Sequence, residues 1–514
     1  MKRLSYLPDL LKKTGQLLLL AVLLCTAESK AGASVLQEGQ FICKSDIASY
    51  CRNYTRFAYL EKELAALYSN DSAFIWFDDV ELNDFAYVVY NNAGQMANEG
   101  LPQSFPYAQR FEAIFNQGVD RQVETELLIS SLYLFYNRKV YGGLSEQDSA
   151  GTGWHLPREK TCLTAFNDSL GLKPSRRLFG QYYNLKKGLQ RYLQIEQEGG
   201  WDSIAVPSAE IHVMPGDSAP LIRKIRTRLY IEGYLNTNSG SLVYDRELRQ
   251  GIDAYRQRQH MDSDSLINAA LIDALNINVT ERIRCIAVNM ERCRWIPDGI
   301  SNAPTCIAVN IPSYRLLYIR DGITVLESKV VVGTREHRTA VFTGDMAYIV
   351  FSPFWNVPSS IYNNEIAPQL RLDPRYLDTH NMEWHGKQLR QRPGPGNPLG
   401  QVKFIFPNSN SIYLHDTPSR SLFEKENRAF SHGCIRVARA RELAIAIMQA
   451  DAGWTESEVD NALNSAKERY YTLKHKIPVY IAYFTAWADQ DGKVSFFDDI
   501  YQRDKKLQKL LLEE

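Results

Sequence analysis

Two side chains toward the end of the sequence could carry nucleophilic chemistry, a cysteine at 434 and a histidine at 415. A thiol becomes a strong nucleophile only when a base removes its proton, and an imidazole is the usual base. Alternation of polar and apolar residues places His415 at the end of a strand, on the same face as Tyr413. Gly433 leaves room at the backbone, so we expect the N–H groups of Gly433 and Cys434 to form an oxyanion hole. The pattern predicts acyl transfer through a thioester.

Residues 431–436, Ser-His-Gly-Cys-Ile-Arg, preceded by His415 and the spacer 416–430, resemble the signature of the L,D-transpeptidase family with a YkuD-type catalytic domain. Residues 343–360, 392–400 and 403–408 resemble segments of the large periplasmic branch of that family. Many members carry Asn two residues after the cysteine, where this chain has Arg436, which we interpret as a marker of the large branch. Arg436 could bind a substrate carboxylate or fix the loop by hydrogen bonding.

The resemblance implies a role for each residue of the signature. Cys434 is the expected nucleophile, His415 the general base and acid, and the backbone carbonyl of Asp416 the group that orients the imidazole; the Asp416 side chain as a triad acid stays open. His432 lies too close to Cys434 along the loop to face the thiol easily, and His385 could touch substrate. The residues expected to contact substrate are Arg436, Ser431, His432, Tyr413 and Trp355. No cofactor or metal is required.

The function that the resemblance implies is that of an exported L,D-transpeptidase acting on peptidoglycan stem peptides. The thiolate attacks the third residue of a tetrapeptide stem and releases D-Ala, and the diaminopimelate amine of a second stem resolves the thioester into a 3→3 cross-link. β-Lactams of the carbapenem type are the expected inhibitors. Other acceptors would give a carboxypeptidase, an exchange enzyme or a lipoprotein-anchoring enzyme, and a mainly wall-binding scaffold is a further alternative. A papain-like protease would place the cysteine before the histidine.

The beginning of the chain predicts export. Lys2, Arg3, Lys12 and Lys13 precede an apolar stretch over 17–25, which is short for a membrane span but typical of a signal peptide. Cleavage after a small residue near 27 or 33 predicts a periplasmic protein. Retention as an inner-membrane anchor and lipidation at Cys25 are alternatives. Lys plus Arg equals Asp plus Glu at 59 each, so the charge balance does not suggest a nucleic-acid partner.

The cysteine content leaves the redox state open. The chain has 8 cysteines, and besides Cys434 and Cys25 they could form disulfides in an oxidising compartment or remain buried free thiols. Cys285 and Cys293 lie on one helical pattern at a separation of roughly 12 Å along the axis, beyond disulfide reach. No cysteine or histidine spacing indicates a zinc site.

The length of 514 residues predicts several domains. We expect a multi-domain α+β fold in which a β-rich sandwich of the YkuD type, with a capping insertion, follows a helical scaffold and a small three-helix module. The expected segments are a signal peptide at 1–33, the scaffold at 34–210, a peptidoglycan-binding-like module at 211–278, a linking helix at 279–301, the catalytic domain at 302–500 with its cap at 361–399, and a tail at 501–514.

Hydrophobic periodicity predicts the main elements inside these segments. Residues 124–136 and 281–295 have patterns of amphipathic helices, and residues 439–450 form a helix after the cysteine loop. Strands are expected over 306–311, 315–319, 323–332, 347–351, 402–406, 412–415 and 478–484. Asp321-Gly322 is typical of a hairpin turn. The module departs from its relatives, with Tyr255-Arg256 in place of Phe-Gln and 262–265 in place of glycines, so it could serve packing instead of glycan binding.

Overall fold

The computed structural model describes residues 41–69, 73–118, 121–158, 177–206 and 211–512. The expected signal peptide and Cys162 lie outside these residues. The fold class predicted from the sequence is confirmed, because a large mixed sheet follows a helical region and a three-helix module. Within the described ranges, no helix is long and apolar enough to cross a membrane.

The scaffold is helical, and its first four helices pack around one buried helix, whereas its last helix packs against the core of the catalytic region. Its helices are α1 (Lys44–Asn53), α2 (Glu61–Leu67), α3 (Asp84–Ala93), α4 (Ala108–Gln117), α5 (Val123–Asn137), α6 (Glu146–Gly151) and α7 (Gly180–Gln197), with a small hairpin of β1 (Phe77–Asp78) and β2 (Glu81–Leu82). The prediction that α5 is amphipathic is wrong, because every residue from Thr125 to Asn137 is buried. Helix α5 is the centre of the scaffold core and is therefore covered on all sides.

The module forms its own small core. Helices α8 (Pro220–Ile231), α9 (Arg246–Gln259) and α10 (Ala269–Asn276) pack around buried Leu248, Ile252 and Leu271. Arg256 is buried and donates to the carbonyls of Asp262 and Leu266, and it pairs with Asp264 at 2.5 Å. The two departures from the family pattern, Arg256 and the segment 262–265, therefore stabilise one another through these contacts.

The helix after the module is more than a link. Helix α11 (Val279–Trp295) is buried on all sides from Ile286 onward and packs against α7, α18 (Asp504–Leu512) and the catalytic domain, so the prediction of a single apolar side is wrong. Its buried Arg292 pairs with Asp504 at 2.6 Å, and Arg294 pairs with Glu291 at 3.0 Å. These ion pairs let a charged helix lie inside the protein. The short helix α12 (Asp298–Ser301) follows.

The catalytic region is built on a nine-stranded mixed sheet. Its strands are β3 (Cys306–Asn310), β4 (Arg315–Arg320), β5 (Ile323–Gly333), β6 (Phe342–Phe351), β10 (Val402–Ile405), β11 (Leu414–His415), β12 (Ala429–Ser431), β13 (Ile435–Val437) and β14 (Arg469–Ala482). They run side by side in the order β12-β5-β13-β11-β10-β6-β14-β3-β4, and β4 also pairs with β5. This last pairing closes the sheet on itself. Strand β11, which carries His415, lies between β13 and β10 and is paired with both.

The hairpin turn agrees with the sequence prediction, whereas the longest strand begins earlier than predicted. β4 and β5 are joined by Asp321 and Gly322 with φ of 53° and 75°, as the Asp-Gly turn predicts. Strand β14 begins at Arg469, well before the predicted start at 478, because its first half is mostly exposed and lacks an apolar pattern. Helices α16 (Ala440–Ala452) and α17 (Glu456–Leu463) follow β13, and β15 (Ala486–Ala488) pairs with β16 (Val494–Phe496).

The insertion between β6 and β10 is a folded unit. It contains β7 (Trp355–Asn356), α13 (Ser359–Ile361), a π-helical turn over Tyr362–Ile366, α14 (Ala367–Leu372), α15 (Tyr376–Thr379), β8 (Met382–His385) and β9 (Gln388–Gln391). Buried Val357, Ile366, Met382 and Leu389 form its core. The insertion therefore has packing of its own, and its mobility stays a prediction.

The described cysteines are free thiols, namely Cys43, Cys51, Cys285, Cys293, Cys306 and Cys434. No disulfide therefore joins two of the described cysteines, and pairing with Cys162 stays open. Cys51 lies in the scaffold core and Cys293 in the core of the catalytic region, which keeps them apart. Burial raises the pKa of Cys285 to about 12 and also raises that of Cys306, so these thiols are poor nucleophiles.

Buried Glu126 of α5 makes the stability of the scaffold depend on pH. Burial raises the pKa of Glu126 to about 7, although it accepts hydrogen bonds from Tyr68 and from the backbone N–H groups of Ile75 and Trp76. Between pH 4.5, the ordinary value, and about 7 the folded protein keeps a proton that the unfolded chain has lost. The contribution of Glu126 to the free energy of unfolding therefore falls as pH rises through this range, by about 3 kcal/mol in total.

We predict that Glu126→Gln removes this slope, because an amide does not titrate. The amide has one acceptor oxygen where the carboxyl has two, so the variant also loses a hydrogen bond from the backbone at every pH. The difference between the unfolding midpoints, variant minus parent, measured by circular dichroism, should therefore rise from pH 5 to pH 8. Glu124→Gln, at an exposed position of the same helix, is the control. A midpoint difference that does not change with pH would contradict the prediction.

Candidate active site

The cysteine loop connects β12 to β13 and is closed by internal hydrogen bonds. Gly433 has φ of 113°, a conformation that favours glycine. The hydroxyl of Ser431 accepts from the Gly433 N–H at 3.1 Å and donates to the Cys434 carbonyl at 2.5 Å. Two predictions are therefore wrong: Ser431 is buried and fixes the loop instead of touching substrate, and the Gly433 N–H is not free to bind an oxyanion. The Cys434 N–H has no hydrogen-bond partner among the described residues.

His415 is buried at the end of β11, opposite Arg436 on the neighbouring parallel strand β13. Its Nδ1 lies 2.5 Å from the carbonyl oxygen of Asp416. Because a carbonyl only accepts, Nδ1 carries the proton and Nε2 keeps its lone pair. Burial lowers the pKa of His415 to about 3, more than the Asp416 carbonyl raises it. The imidazole is neutral and can accept a proton, as a general base must.

The carboxylate of Asp416 is occupied elsewhere. One oxygen pairs with Arg420 at 2.6 Å, and the other accepts the backbone N–H of Gln401 at 2.9 Å. Gly400, with φ of 60°, makes room for this carboxylate, because a Cβ there would lie 2.2 Å from its oxygen. Within this structure the carbonyl of Asp416 faces the imidazole and its side chain does not, so the triad-acid alternative is not supported.

The Cys434 thiol lies in a cleft beside Tyr413 and donates to the Ser411 carbonyl at 3.7 Å. Burial raises its pKa, and this outweighs the Tyr413 backbone N–H and hydroxyl and the cations Lys403 and Arg436, all of which lower it. The hydrogen bonds of the described residues include none between this thiol and the His415 imidazole. The resting pair is therefore a neutral thiol and a neutral imidazole.

Two cations near the thiol lack acidic partners. Among the described residues, neither Lys403 nor Arg436 forms an ion pair with a carboxylate, and the Nε of Arg436 is buried without a hydrogen bond. Lys403 lies 3.8 Å from the Tyr413 ring centre and pairs across the sheet with His415. The sequence analysis assigned no role to Lys403. Its position directly opposite His415 becomes visible only once the register of β10 and β11 is known.

The other predicted substrate residues lie around the cleft. His432 is half exposed, its Nε2 lies 3.5 Å from Glu365 of the insertion, and its ring contacts that of His337. His432 therefore connects the cysteine loop, to which it belongs, with the cap. Trp355 is half-buried at the base of the cap, and His385 is exposed on β8. The structure does not bring His385 into contact with the thiol.

No group of His, Cys, Asp or Glu side chains in the described part of the chain could hold a metal ion. A cavity of about 1040 Å³ lies between the module, α7 and the outer side of the sheet, and its lining includes neither Cys434 nor His415. This cavity is therefore separate from the cleft at Cys434.

Comparison with known proteins agrees with this geometry. Residues 304–459 match the model of the L,D-transpeptidase catalytic domain, YkuD, and residues 62–188 match that of a scaffold domain. A putative L,D-transpeptidase of Haemophilus influenzae is 37% identical over 251 residues, which cover 45% of this chain and 49% of that protein. The chain thus spans about half the length of this relative. The protein carries an L,D-transpeptidase catalytic domain of the YkuD type, preceded by a scaffold domain.

Solved structures of the same class show weaker likeness. L,D-transpeptidase 3 from Mycobacterium tuberculosis, in complex with a faropenem-derived adduct, is 16% identical with a TM-score of 0.20, covering 35% of this chain and 60% of that one. An L,D-transpeptidase from Mycobacterium smegmatis is 13% identical with a TM-score of 0.20, covering 35% of this chain and 58% of that one.

The protonation states predict how Cys434 reacts with iodoacetamide. Because the thiol pKa is raised above 9.0, its ordinary value, the thiolate fraction should grow about tenfold per pH unit between pH 6 and 8. With the His415 pKa near 3, the imidazole stays neutral over this range and creates no thiolate–imidazolium pair. Mass spectrometry of alkylated Cys434, with exposed Cys43 as the internal control, measures the rate. A pH-independent rate below pH 7 would contradict the prediction.

Proposed function

We propose that this protein is an exported L,D-transpeptidase that forms 3→3 cross-links between peptidoglycan stem peptides. The observation that carries the proposal is the pairing of two strands: Cys434 directly precedes β13, and the neighbouring strand β11 ends at a buried, neutral His415 whose Nδ1 is fixed by the Asp416 carbonyl. The match of residues 304–459 to the L,D-transpeptidase catalytic domain supports the same chemistry. Export rests on the charged and apolar residues at the start of the sequence.

In the first half-reaction, Cys434 attacks the carbonyl of the third stem residue. The thiol turns from the Ser411 carbonyl toward Nε2 of His415, and Nε2 takes the thiol proton. This contact is absent at rest, as is common for catalytic hydrogen bonds that form only when substrate is bound. The S–C bond forms, the peptide C–N bond breaks, and the imidazolium returns the proton to the departing amine of D-Ala. His415 thus serves first as base and then as acid.

The charge that develops on the substrate oxygen needs a donor. The Cys434 N–H is free to supply it, and the Tyr413 hydroxyl next to the thiol is a second donor, since burial keeps its pKa above the ordinary range. Arg436 and Lys403 supply positive charge without acidic partners of their own. A donor stem carries carboxylates on diaminopimelate and on the terminal D-Ala, so we assign Arg436 to carboxylate binding, the first of its two expected roles.

In the second half-reaction the side-chain amine of another stem attacks the thioester. Water would compete with this amine, and hydrolysis of the thioester would make the enzyme a carboxypeptidase. His432 of the cysteine loop contacts Glu365 of the cap. Closure of the cap over the loop would exclude water and so favour the amine. A carbapenem is expected to acylate Cys434 in the same way as the donor. A D-amino acid or a lipoprotein amine as acceptor would use the same acyl-enzyme.

The test of the proposal is incubation of the purified mature protein with disaccharide-tetrapeptide, with the products identified by mass spectrometry. We expect D-Ala, a cross-linked dimer and a thioester on Cys434. Cys434→Ala should abolish all three while leaving the circular dichroism spectrum unchanged, and Cys43→Ala, at an exposed free thiol, should behave like the parent protein. Tripeptide without dimer would assign a carboxypeptidase, and turnover by Cys434→Ala would end the covalent mechanism.

The carboxylate-binding role of Arg436 gives a separate prediction. Arg436→Gln should lower kcat/KM for the tetrapeptide by roughly 10–100-fold, mainly through KM, because a charge-assisted hydrogen bond contributes about 1.5–3 kcal/mol. Arg439→Gln, which removes a half-exposed arginine of the same segment that pairs with Glu442, should have little effect. Unchanged donor kinetics in Arg436→Gln would return Arg436 to the alternative role of fixing the loop.

A further inference from the structure

The peptide unit between Gly433 and Cys434 carries a backbone donor that stays free next to the nucleophile. The Gly433 N–H is bound by Ser431, whereas the Cys434 N–H has no hydrogen-bond partner in the described part of the chain. In a planar trans peptide the C=O and the N–H point in opposite directions. Whatever holds the Gly433 carbonyl therefore also sets the direction of the Cys434 N–H.

Thr339 holds that carbonyl. Its Oγ1 donates to the Gly433 oxygen at 2.8 Å and accepts the Gly333 N–H at 2.9 Å. Since an N–H can only donate and a carbonyl can only accept, the single hydroxyl proton of Thr339 is committed to Gly433. Thr339 is completely buried, so water does not compete for this hydrogen bond.

Thr339 is itself fixed by a residue near the end of the chain. The Tyr501 hydroxyl accepts the Thr339 backbone N–H at 3.1 Å and donates to the Gly333 carbonyl at 2.7 Å. Gly333 must be glycine here, because a Cβ would lie 2.0 Å from the His337 carbonyl oxygen. The backbone at 333 and at 339 is thus tied to one phenol.

We propose that Thr339 is a positioning residue for the oxyanion hole, acting through the Gly433–Cys434 peptide, and that Tyr501 supports it. The hydrogen bond to the Gly433 carbonyl aims the Cys434 N–H into the cleft and polarises the peptide, which strengthens that N–H as a donor. This inference rests on the proposed acyl-transfer function. Thr339 does not touch substrate.

Two reactions of Cys434 separate this role from a general effect on the thiol. In acylation by a carbapenem, the sulfur attacks the lactam carbonyl, an oxyanion forms, the C–N bond breaks and the ring nitrogen takes the thiol proton through His415. In alkylation by iodoacetamide, sulfur displaces iodide at a saturated carbon and no oxyanion forms. A residue that positions the oxyanion donor should affect the first reaction and spare the second.

The experiment measures both rates by mass spectrometry for the parent protein, Thr339→Val, Thr339→Ser, Tyr501→Phe and the control Thr324→Val, an exposed hydroxyl of the same domain. Loss of a whole oxyanion donor slows an enzyme about 10²–10³-fold, so loss of its positioning in Thr339→Val should slow acylation about 10–100-fold. Alkylation should change less than about twofold. Thr339→Ser keeps the hydroxyl and should react at nearly the parent rates. Tyr501→Phe should also slow acylation more than alkylation, by a smaller factor than Thr339→Val.

Equal acylation rates in Thr339→Val and the parent, or equal slowing of acylation and alkylation, would overturn the inference. If Thr339→Val does not fold, Tyr501→Phe decides. Equal effects of that substitution on acylation and alkylation would overturn the inference as well. A parent protein that is alkylated normally but forms no acyl adduct would instead count against the proposed function.

Discussion

The removal of Cys434 and His415 from bulk water is the constraint on which the rest of the site depends. A charge inside a protein costs several kcal/mol unless it is paired, so a half-buried cysteine and a buried histidine rest as neutral groups. Burial accordingly raises the pKa of Cys434 and lowers that of His415. The charges of the reaction then exist only while substrate is bound, and the fixed donors and cations of the cleft are in place to meet them. The Asp416 carbonyl suits this arrangement, because a carboxylate in its position would favour the charged imidazolium.

The same constraint governs the helix that joins the parts of the protein. Helix α11 brings Arg292 and Arg294 into the interior, and each is neutralised by a carboxylate, Asp504 or Glu291. Removing one partner of a buried pair typically costs about 3–5 kcal/mol, because the other charge is left buried. Arg292 joins α11 to the C-terminal helix, and Arg294 donates to the carbonyls of Val140 and Glu99 in the scaffold. Helix α11 is therefore one of the elements that join the scaffold to the catalytic region.

Features that neighbouring residues encode could be predicted from the sequence. The Asp-Gly hairpin depends on two consecutive residues, and the mixed fold follows from the change of hydrophobic period. The roles of Cys434 as nucleophile and His415 as base were also read from short motifs, and they stay predictions. Contacts between distant segments could not be predicted in this way. Ser431 was expected to contact substrate, whereas its hydroxyl bonds within the cysteine loop. Thr339 meets Gly433 across 94 residues. Helix α5 was misjudged because its serines and glutamate are polar by type, yet they are buried with hydrogen-bond partners.

Tyr501 ties the cysteine loop to a distant part of the chain. Its hydroxyl contacts Gly333, 168 residues earlier. The match to the catalytic-domain model ends at residue 459, so Tyr501 lies outside the matched segment. A fragment cut to that segment would keep the Ser-His-Gly-Cys sequence and lose the phenol that holds the backbone behind it. The boundaries of the domain match and of the hydrogen-bonded unit are therefore different.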